Sequence, residues 1–557
     1  MREWDEEIDF LVAGTGAAAM AAAITASDAG LSVLVVESSD KWGGTTAMSG
    51  GGVWFPTHPG MSTIGLQDSE QAALTYLDHC VGSPEEVGPA SSLARRKAYI
   101  AAVPRVYELL ARLGMRWSVS RNYPDYYPDL PGGMAGGRSI ESEPFNVRKL
   151  GPWFEHARKE LPPLPIKTDD VWLLARAWST VSGFVRGVQL VLRTLAGLLT
   201  FRKLYGFGLA LSSSLMHIAR NGQGTEIRLN TPVKKLVLED GEVVGVEVGS
   251  ARGVRRIRAT RGVMLGAGGF AHNKAWRQKY HGIDGYSSAS KADDGSAIAA
   301  GIEIGADLAL MDDAWWGPAV PANSKTGPVF IVSERSMPYC LVVDQDGQRY
   351  VNESTSYVDF GHAMLEHAKD ATTNPSWMVL DARNRRRYLF NPFMAGAKPY
   401  FEEGIAVQAD TLPALAEKMG VDVDTFSATI ERFNGFAASG VDADFGRGRT
   451  VYDNYYGDPS VAPNPNLGTI EKGPFMAIKL VPGDLGTKGG LLTDEHARVL
   501  DTKGAVIKGL YAAGNTTASV MGRTYPGAGS TIGPALIFGY LGARHAAGHA
   551  EGVKQSA

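Results

Sequence analysis

The sequence predicts an α/β protein: a Rossmann-like dinucleotide-binding domain that carries an inserted α+β catalytic (substrate) domain. Three observations predict it. A strand, glycine turn, helix and second strand follow one another over Ile8–Glu37. Apolar strands ending in glycine return at Val263–Phe270 and again at Gly509–Asn515, far apart in the chain. Between them, from about residue 280 to about 480, composition shifts toward aromatics and irregular loops, as in an insertion. The expected division is therefore 1–280 with 481–557 for the first domain and 281–480 for the second.

The opening unit is the most specific. Ile8–Ala13 reads as a buried strand, Ala17–Ala29 as a helix ended by Gly30, and Leu31–Val36 as the next strand. Gly14-Thr15-Gly16-Ala17-Ala18-Ala19 fits G-x-G-x-x-G/A. Gly14 permits the turn, Gly16 admits backbone to a pyrophosphate, and small Ala19 lets helix and strand approach. The helix start, Ala17 and Ala18, offers N–H groups to the anion, and Glu37 can accept from a ribose hydroxyl.

Lys41–Gly52 follows, dense in glycine and small hydroxyls, with Gly43, Gly44, Thr45, Thr46, Ser49, Gly50 and Gly51 as candidate contacts to something flat or charged. Nicotinamide enzymes need no such loop here, whereas FAD enzymes of the fumarate-reductase type carry one. FAD is therefore the expected cofactor.

With 557 residues, two or three domains are expected. Hydrophobic residues make up 44% and charged residues 20%, ordinary for a globular chain. A net charge of −4 gives nucleic acid no electrostatic foothold. Cys80 and Cys340 alone supply neither a disulfide framework nor a metal cluster. MREWDEEIDF lacks the apolar core of a secretory signal, so a cytoplasmic setting is expected. Val171–Phe201 is apolar but interrupted by Arg176, Arg186 and Arg193, with Arg202 and Lys203 after it. Two readings are weighed: a helix packed on its own domain, which is favoured, and a peripheral membrane contact over 171–203.

Further along, Ala72–Val81, Pro89–Leu113 and Leu209–Arg220 read as helices, separated by the tyrosine-bearing loop Tyr123–Ser139. That loop is weighed between function and aromatic packing at a domain seam. Thr225–Leu229 reads as a strand, and a β-meander opens at Thr231-Pro232-Val233. Val233, Ala267 and Gly268 are candidate cofactor contacts. In the insertion, Thr411–Met419 and Asp422–Gly440 read as helices and Asp453–Asn466 as a loop. Gly514 and Asn515 end a strand, and Gly522–Ala535 leads into a helix from about Leu536 to Ala547. Gly529, Ser530, Thr531 and Ile532 at its head are candidate contacts to the flavin's pyrimidine side.

The ordered motifs GTGAAAMAAA, GGTTAMSGGGVWFP, PDYYPDLPGG, DDAWWGP, NESTSY, PGDLGTKGG, YAAGN and TYPGAGSTIGPA carry a resemblance over nearly the whole chain. The chain resembles the flavin-dependent 3-ketosteroid Δ1-dehydrogenases, a branch of the fumarate reductase/flavocytochrome c flavoproteins. The resemblance implies a 1,2-dehydrogenation in steroid degradation: a C2 proton goes to a tyrosine and a C1 hydride to FAD. An electron acceptor, quinone or oxygen, would complete the cycle. It further implies that Tyr525 and the Gly529 N–H hold the C3 carbonyl, that Tyr357 is the base, and that Tyr126, with Tyr127 as alternative, assists it. Arg523 and Ala528 depart from the family's usual His and Pro.

Tyrosine is a poor base near neutral pH, so a donor to its oxygen is needed to favour the tyrosinate. No His lies in the GGTTAMSGGG loop, so FAD is expected to be held noncovalently. Alternatives kept are a 3-ketosteroid Δ4-(5α)-dehydrogenase, a fumarate-reductase-like enzyme acting on another enone, and a non-catalytic flavin-binding electron carrier. Dicarboxylate reduction needs Arg and His clamps that these loops do not offer. His58, His217, His272 and His362 stand isolated and are expected to be structural; no metal site is expected.

Overall fold

The computed structural model describes residues 3–159, 163–251 and 253–548. Met1 and Arg2 of the acidic N-terminal stretch lie outside them. β1 (Glu6–Ala13), α1 (Ala17–Asp28) and β2 (Val33–Val36) form the expected opening unit. β1 and β2 are parallel, with Ala13 beside Val36. Alanines let α1 lie almost flush on the sheet, buried from Ala17 to Ala26. A Cβ on Gly14, at φ +103°, would sit 2.4 Å from the Gly266 carbonyl oxygen, so only glycine permits that turn.

The chain then adds β3 (Glu226–Arg228), the meander strands β4 (Val233–Glu239) and β5 (Glu242–Ser250), and β6 (Gly253–Leu265). The insertion builds a second sheet from β7 (Ala314–Val320), β8 (Cys340–Val343), β9 (Ser376–Leu380), β10 (Ala406–Ala409) and β11 (Phe475–Thr487). β11 is its spine, pairing with β9 and β10 through its first half and with β7 through its second. The chain leaves this sheet after Thr487, not at Gly483, where the glycine-rich sequence resumes. β12 (Arg498–Leu500) and β13 (Val506–Ala512) rejoin the first sheet, whose order is β12-β13-β6-β1-β2-β3.

Four elements differ from their sequence reading. The C-terminal helix, Ile532–Ala546, begins earlier than Leu536 because Gly533-Pro534 sits within its first turn, where Pro costs no hydrogen bond. Leu209–Arg220 is an α-helix over Phe207–Met216 that widens into a π turn at His217–Gly222. The loop expected at Asp453 starts inside a short helix, Val451–Tyr455, capped by Thr450.

The apolar stretch 171–201 is two helices, Thr168–Leu174 and Val181–Leu199. The favoured packing of its apolar face on its own domain is not what the structure shows. Val181–Leu199 buries only Gly183 and Gly197. Phe184, Val188, Leu192, Leu195 and Leu199 are exposed, the last at 81%. The helix is held instead by its polar edge, where Arg186 and Arg193 pair with buried Asp170 (2.7 and 2.9 Å).

A buried carboxyl on the strand Ser139–Ser142 makes stability pH-dependent. Glu141 accepts from the Thr168 N–H (2.8 Å) and hydroxyl (3.0 Å). Burial pushes its carboxyl up to about 8, against the pull of those bonds. The native state thus holds this proton more tightly than the unfolded chain. Its stabilising contribution is full in the ordinary carboxylate range and is lost as pH rises toward about 8. Glu141→Gln is therefore expected to lessen the fall in Tm from about pH 5 to about pH 8.5 by several degrees, read by calorimetry. An unchanged slope would mean that Glu141 does not carry it.

Candidate active site

The glycine turn and the loop after β2 fold onto each other. Gly43 N–H donates to Thr15 Oγ1 and Ala17 N–H to Thr46 Oγ1, both 3.0 Å. Gly44, at φ +51°, faces the Gly16 backbone, and a Cβ on Gly50 would meet nothing. The remaining first-turn N–H groups of α1 have no side-chain cap. Glu37 is 6% exposed and accepts from Thr15 Oγ1 (2.6 Å) and Ser39 N–H (3.0 Å), which aim its carboxylate. Thr231 N–H bonds the Glu37 carbonyl, which brings Val233 to the same edge.

On the next strand edge, Ala267-Gly268 presses on buried Asp293, which accepts from Thr45 Oγ1 (3.0 Å). Burial raises the Asp293 carboxyl to about 7. Ser49 Oγ bonds the Thr46 carbonyl and Gly51 N–H, closing the loop. Across the sheet, the helix Ile532–Ala546 packs along α1, and its N-terminus too lacks a side-chain cap. A cavity there is lined by Gly514, Asn515, Ser530, Thr531, Trp315 and Arg95, among others. Asn515 Oδ1 accepts from Trp315 Nε1 (3.1 Å). Ser530 is turned inward, its hydroxyl bonded to both Gly527 N–H and carbonyl, so it shapes the turn. These residues would suit FAD: the pyrophosphate at the start of α1, beside the Ala17 N–H that Thr46 Oγ1 already takes, the ribose on Glu37, and the flavin against Gly514, Thr531 and Ile532.

The tyrosines converge beside this groove from three distant segments. Tyr525, Tyr357 and Tyr126 have ring centroids 5.0 Å (357–525), 5.2 Å (126–525) and 5.6 Å (126–357) apart. Tyr126 N–H bonds the Pro526 carbonyl, which clamps the PDYY loop to the TYPGAG turn. Tyr357 begins the helix Tyr357–His367, capped by Ser356. Thr531 Oγ1 donates to Tyr525 Oη (3.2 Å). The Gly529 N–H has no protein acceptor among the described residues. Gly529 sits at φ +97°, where a Cβ would lie 2.4 Å from Gly52.

Burial drives the Tyr357 hydroxyl well above its usual range, helped by hydrogen bonding to Tyr525, while a hydrogen bond from Tyr126 pulls it down. Tyr127 instead donates to Asp359 (2.9 Å), which leaves Tyr126 as the ring beside Tyr357.

Sequence reasoning missed part of this cluster. Tyr123 Oη contacts Tyr126 Oη (3.4 Å) and hydrogen-bonds Tyr456 Oη. Tyr452 lies 4.6 Å from Tyr126, centroid to centroid. The only signal was the repeated YxxYY spelling of Tyr123–Tyr127 and Tyr452–Tyr456. His58, His272 and His362 are tied to Gly137, Ala289 and Asp313, and His217 packs on Phe145, all outside the tyrosine cluster. Arg523 pairs with Asp312 at the surface (2.9 Å).

A glycine-turn dinucleotide fold with a cofactor groove opening onto a buried tyrosine cluster defines a flavoprotein oxidoreductase. Comparison with known proteins agrees. A family model described as "FAD binding domain" matches residues 9–532. The chain is 43% identical to a 3-oxosteroid 1-dehydrogenase of Mycobacterium tuberculosis, over 98% of this chain and 99% of that one. It is 35% identical to a 4-oxocyclohexanecarboxylate 2-dehydrogenase of Sinomonas cyclohexanicum, over 99% and 94%. It superposes with TM-score 0.91 and 36% identity on the 3-ketosteroid Δ1-dehydrogenase of Sterolibacterium denitrificans in complex with 1,4-androstadiene-3,17-dione, covering 98% and 100%. The chain belongs to the FAD-dependent 3-oxosteroid 1-dehydrogenase family.

Proposed function

We propose that the protein removes hydrogen from C1 and C2 of a 3-ketosteroid. The observation that carries this reading is the meeting of Tyr126, Tyr357 and Tyr525, with Gly529 four residues after Tyr525 and its N–H without a protein acceptor among the described residues. A C2–H beside a ketone becomes acidic only when charge growing on the carbonyl oxygen is stabilised. Tyr525 O–H and Gly529 N–H would supply that stabilisation, roughly 3 kcal/mol for one such donor. Tyr357 would take the C2 proton, and Tyr126, donating to its oxygen, would favour the tyrosinate. Bound FAD supplies the acceptor for the C1 hydride. The buried aromatic walls exclude water and suit a substrate with few polar groups. The division into 1–280 with 481–557 and 281–480 is supported by the two sheets, with β11 carrying the second on to Thr487.

The test is dye reduction by purified enzyme with a 3-keto-4-ene steroid, 4-oxocyclohexanecarboxylate, or no substrate, and oxidation of a reduced dye with fumarate. Dye reduction that needs the steroid supports the reading; activity confined to the cyclohexane acid or to fumarate overturns it. FAD is proposed to be noncovalent, so acid precipitation should release the yellow colour into the supernatant. Flavin staying with the pellet would reject that claim. Quinone and oxygen are the proposed electron acceptors.

The exposed helix face is proposed to rest on a lipid surface on the cytoplasmic side. Val181–Leu199 carries no acidic residue, exposed Arg202 and Lys203 follow it, and Trp178, 70% exposed, precedes it. That is the pattern of an interfacial helix facing anionic headgroups. No helix among the described residues is long and apolar enough to cross a membrane. The protein should co-sediment with vesicles containing phosphatidylglycerol. Replacing Phe184, Leu192 and Leu195 by Ser should weaken that at least about tenfold without loss of FAD. Concentration-dependent dimers that persist with vesicles, or no co-sedimentation, would assign the face to a second copy.

A further inference from the structure

Arg335 is fully buried in the short turn Glu334–Ser336. Its Nη1 donates to the carbonyls of Glu353 and Thr355, in the segment that leads into Tyr357. Nε and Nη2 have no protein partner among the described residues. No carboxylate among them pairs with it either. Glu353 is taken by Arg349 (2.7 Å) and Arg447 (3.1 Å). Asp453 accepts from Asn352 (3.1 Å) and Gly448 N–H (2.9 Å), and Glu334 from Val332 N–H (3.0 Å). An unpaired cation held away from water is costly unless something balances it.

The guanidinium lies over the Phe360 ring, 5.3 Å from its centroid, and Asn466 joins its turn to the segment that carries Tyr452 and Tyr456. Burial disfavours its charge, while Tyr452, Tyr456, Tyr126 and then Asp453 act electrostatically to favour it, and it acts in turn on Tyr123. Asn466 Nδ2 fixes the arrangement: it bonds the carbonyls of Ser336 and Asp453 and the hydroxyl of Ser354. One amide thus ties together the Arg335 turn, the short helix Val451–Tyr455 that bears Tyr452 and leads into Tyr456, and the loop before Tyr357. From Tyr456 the hydroxyls run through Tyr123 to Tyr126, whose ring meets that of Tyr357 edge-on at 5.6 Å.

We propose that Arg335 is the fixed cation that balances the negative charge of this tyrosine chain when Tyr357 stands ready as a base. It is a positioning residue that acts through Tyr452, Tyr456, Tyr123 and Tyr126, and it rests on the reading of Tyr357 as the proton acceptor. In a site walled off from water, a tyrosinate needs a counter-charge that does not move, and hydrogen-bonded hydroxyls spread the charge toward it. The anion formed there would also be the missing partner of a cation the fold otherwise leaves unpaired.

The test is the pH dependence of flavin reduction by a 3-keto-4-ene steroid in single turnover, with FAD content and Tm as controls. Arg335→Met removes the charge while keeping an unbranched chain, a swap that buried ion sites often tolerate. Its rate–pH curve is expected to move up by about one unit or more, so that the rate near neutral pH falls at least about tenfold and recovers in alkali. A curve that overlies wild type, or a loss equal at every pH, overturns the proposal. Arg335→Lys serves if the Met variant does not fold. A buried ammonium can lose its proton, so its rate should track wild type near neutrality and fall behind it toward pH ~10. A constant ratio across that range overturns the proposal. Tyr357→Phe, run in parallel, separates the two readings: retained C2 exchange in that variant removes the base itself, whereas an unmoved Arg335→Met curve with a dead Tyr357→Phe removes only the role of Arg335.

Discussion

Tyr357→Phe is expected to keep its FAD, melt near wild type and bind steroid, yet to reduce its flavin ~10²–10⁴-fold more slowly in single turnover, the range for loss of a general base. It should also stop exchanging C2 hydrogen with deuterated water. The separation of effects follows from its position. Tyr357 is 4% exposed, and its ring lies against Tyr126, Tyr525 and Phe330. Phe preserves those contacts and removes only the oxygen. Among the described residues its ring contacts are Tyr126, Phe330 and Tyr525, none in the cofactor loops, so cofactor binding has no reason to change. Exchange at the normal rate in the variant would assign the base to another residue, with Tyr126 the next to test.

Tyr525→Phe should lower kcat at least tenfold and up to ~10²–10³-fold, as for removal of one oxyanion donor. FAD content should stay normal, because Tyr525 touches the cluster and Trp315 rather than the pyrophosphate loop. The loss should appear in kcat more than in KM, since the bond strengthens only as charge grows on the carbonyl oxygen. Turnover near wild type would remove Tyr525 from the carbonyl site.

The parts of this site that could be read from the chain are those where backbone chemistry restricts the residue. Gly14, Gly43, Gly44 and Gly51 announce a cofactor cradle because few residues other than glycine tolerate their positive φ. The TYPGAG turn is legible for the same reason at Gly529. The joining of Tyr126, Tyr357 and Tyr525 in space was reached only through resemblance, since nothing local tells a tyrosine which segments it will meet.

Tyr452, Tyr456 and Arg335 were not found at all, and Tyr123 was noted only as part of a loop weighed between function and packing. They come from three segments far apart in the chain, and Arg335 spells like any surface arginine until burial strips its partners. The helix Val181–Leu199 shows the same limit from the other side. Its periodicity is that of an amphipathic helix, and periodicity does not say whether the apolar face meets its own domain or is left open. The early start of Ile532–Ala546 was hidden by Gly533-Pro534, which read as loop yet is compatible with a first helical turn.

The most direct test of Δ1 chemistry is anaerobic single turnover with a saturated 5α-3-ketosteroid, followed by location of the new double bond. If Tyr525 and Gly529 hold the C3 oxygen and Tyr357 takes the C2 proton, the flavin bleaches and the product is the 1-ene. A 4-ene product with normal bleaching would contradict that geometry and assign the enzyme to Δ4-(5α) dehydrogenation.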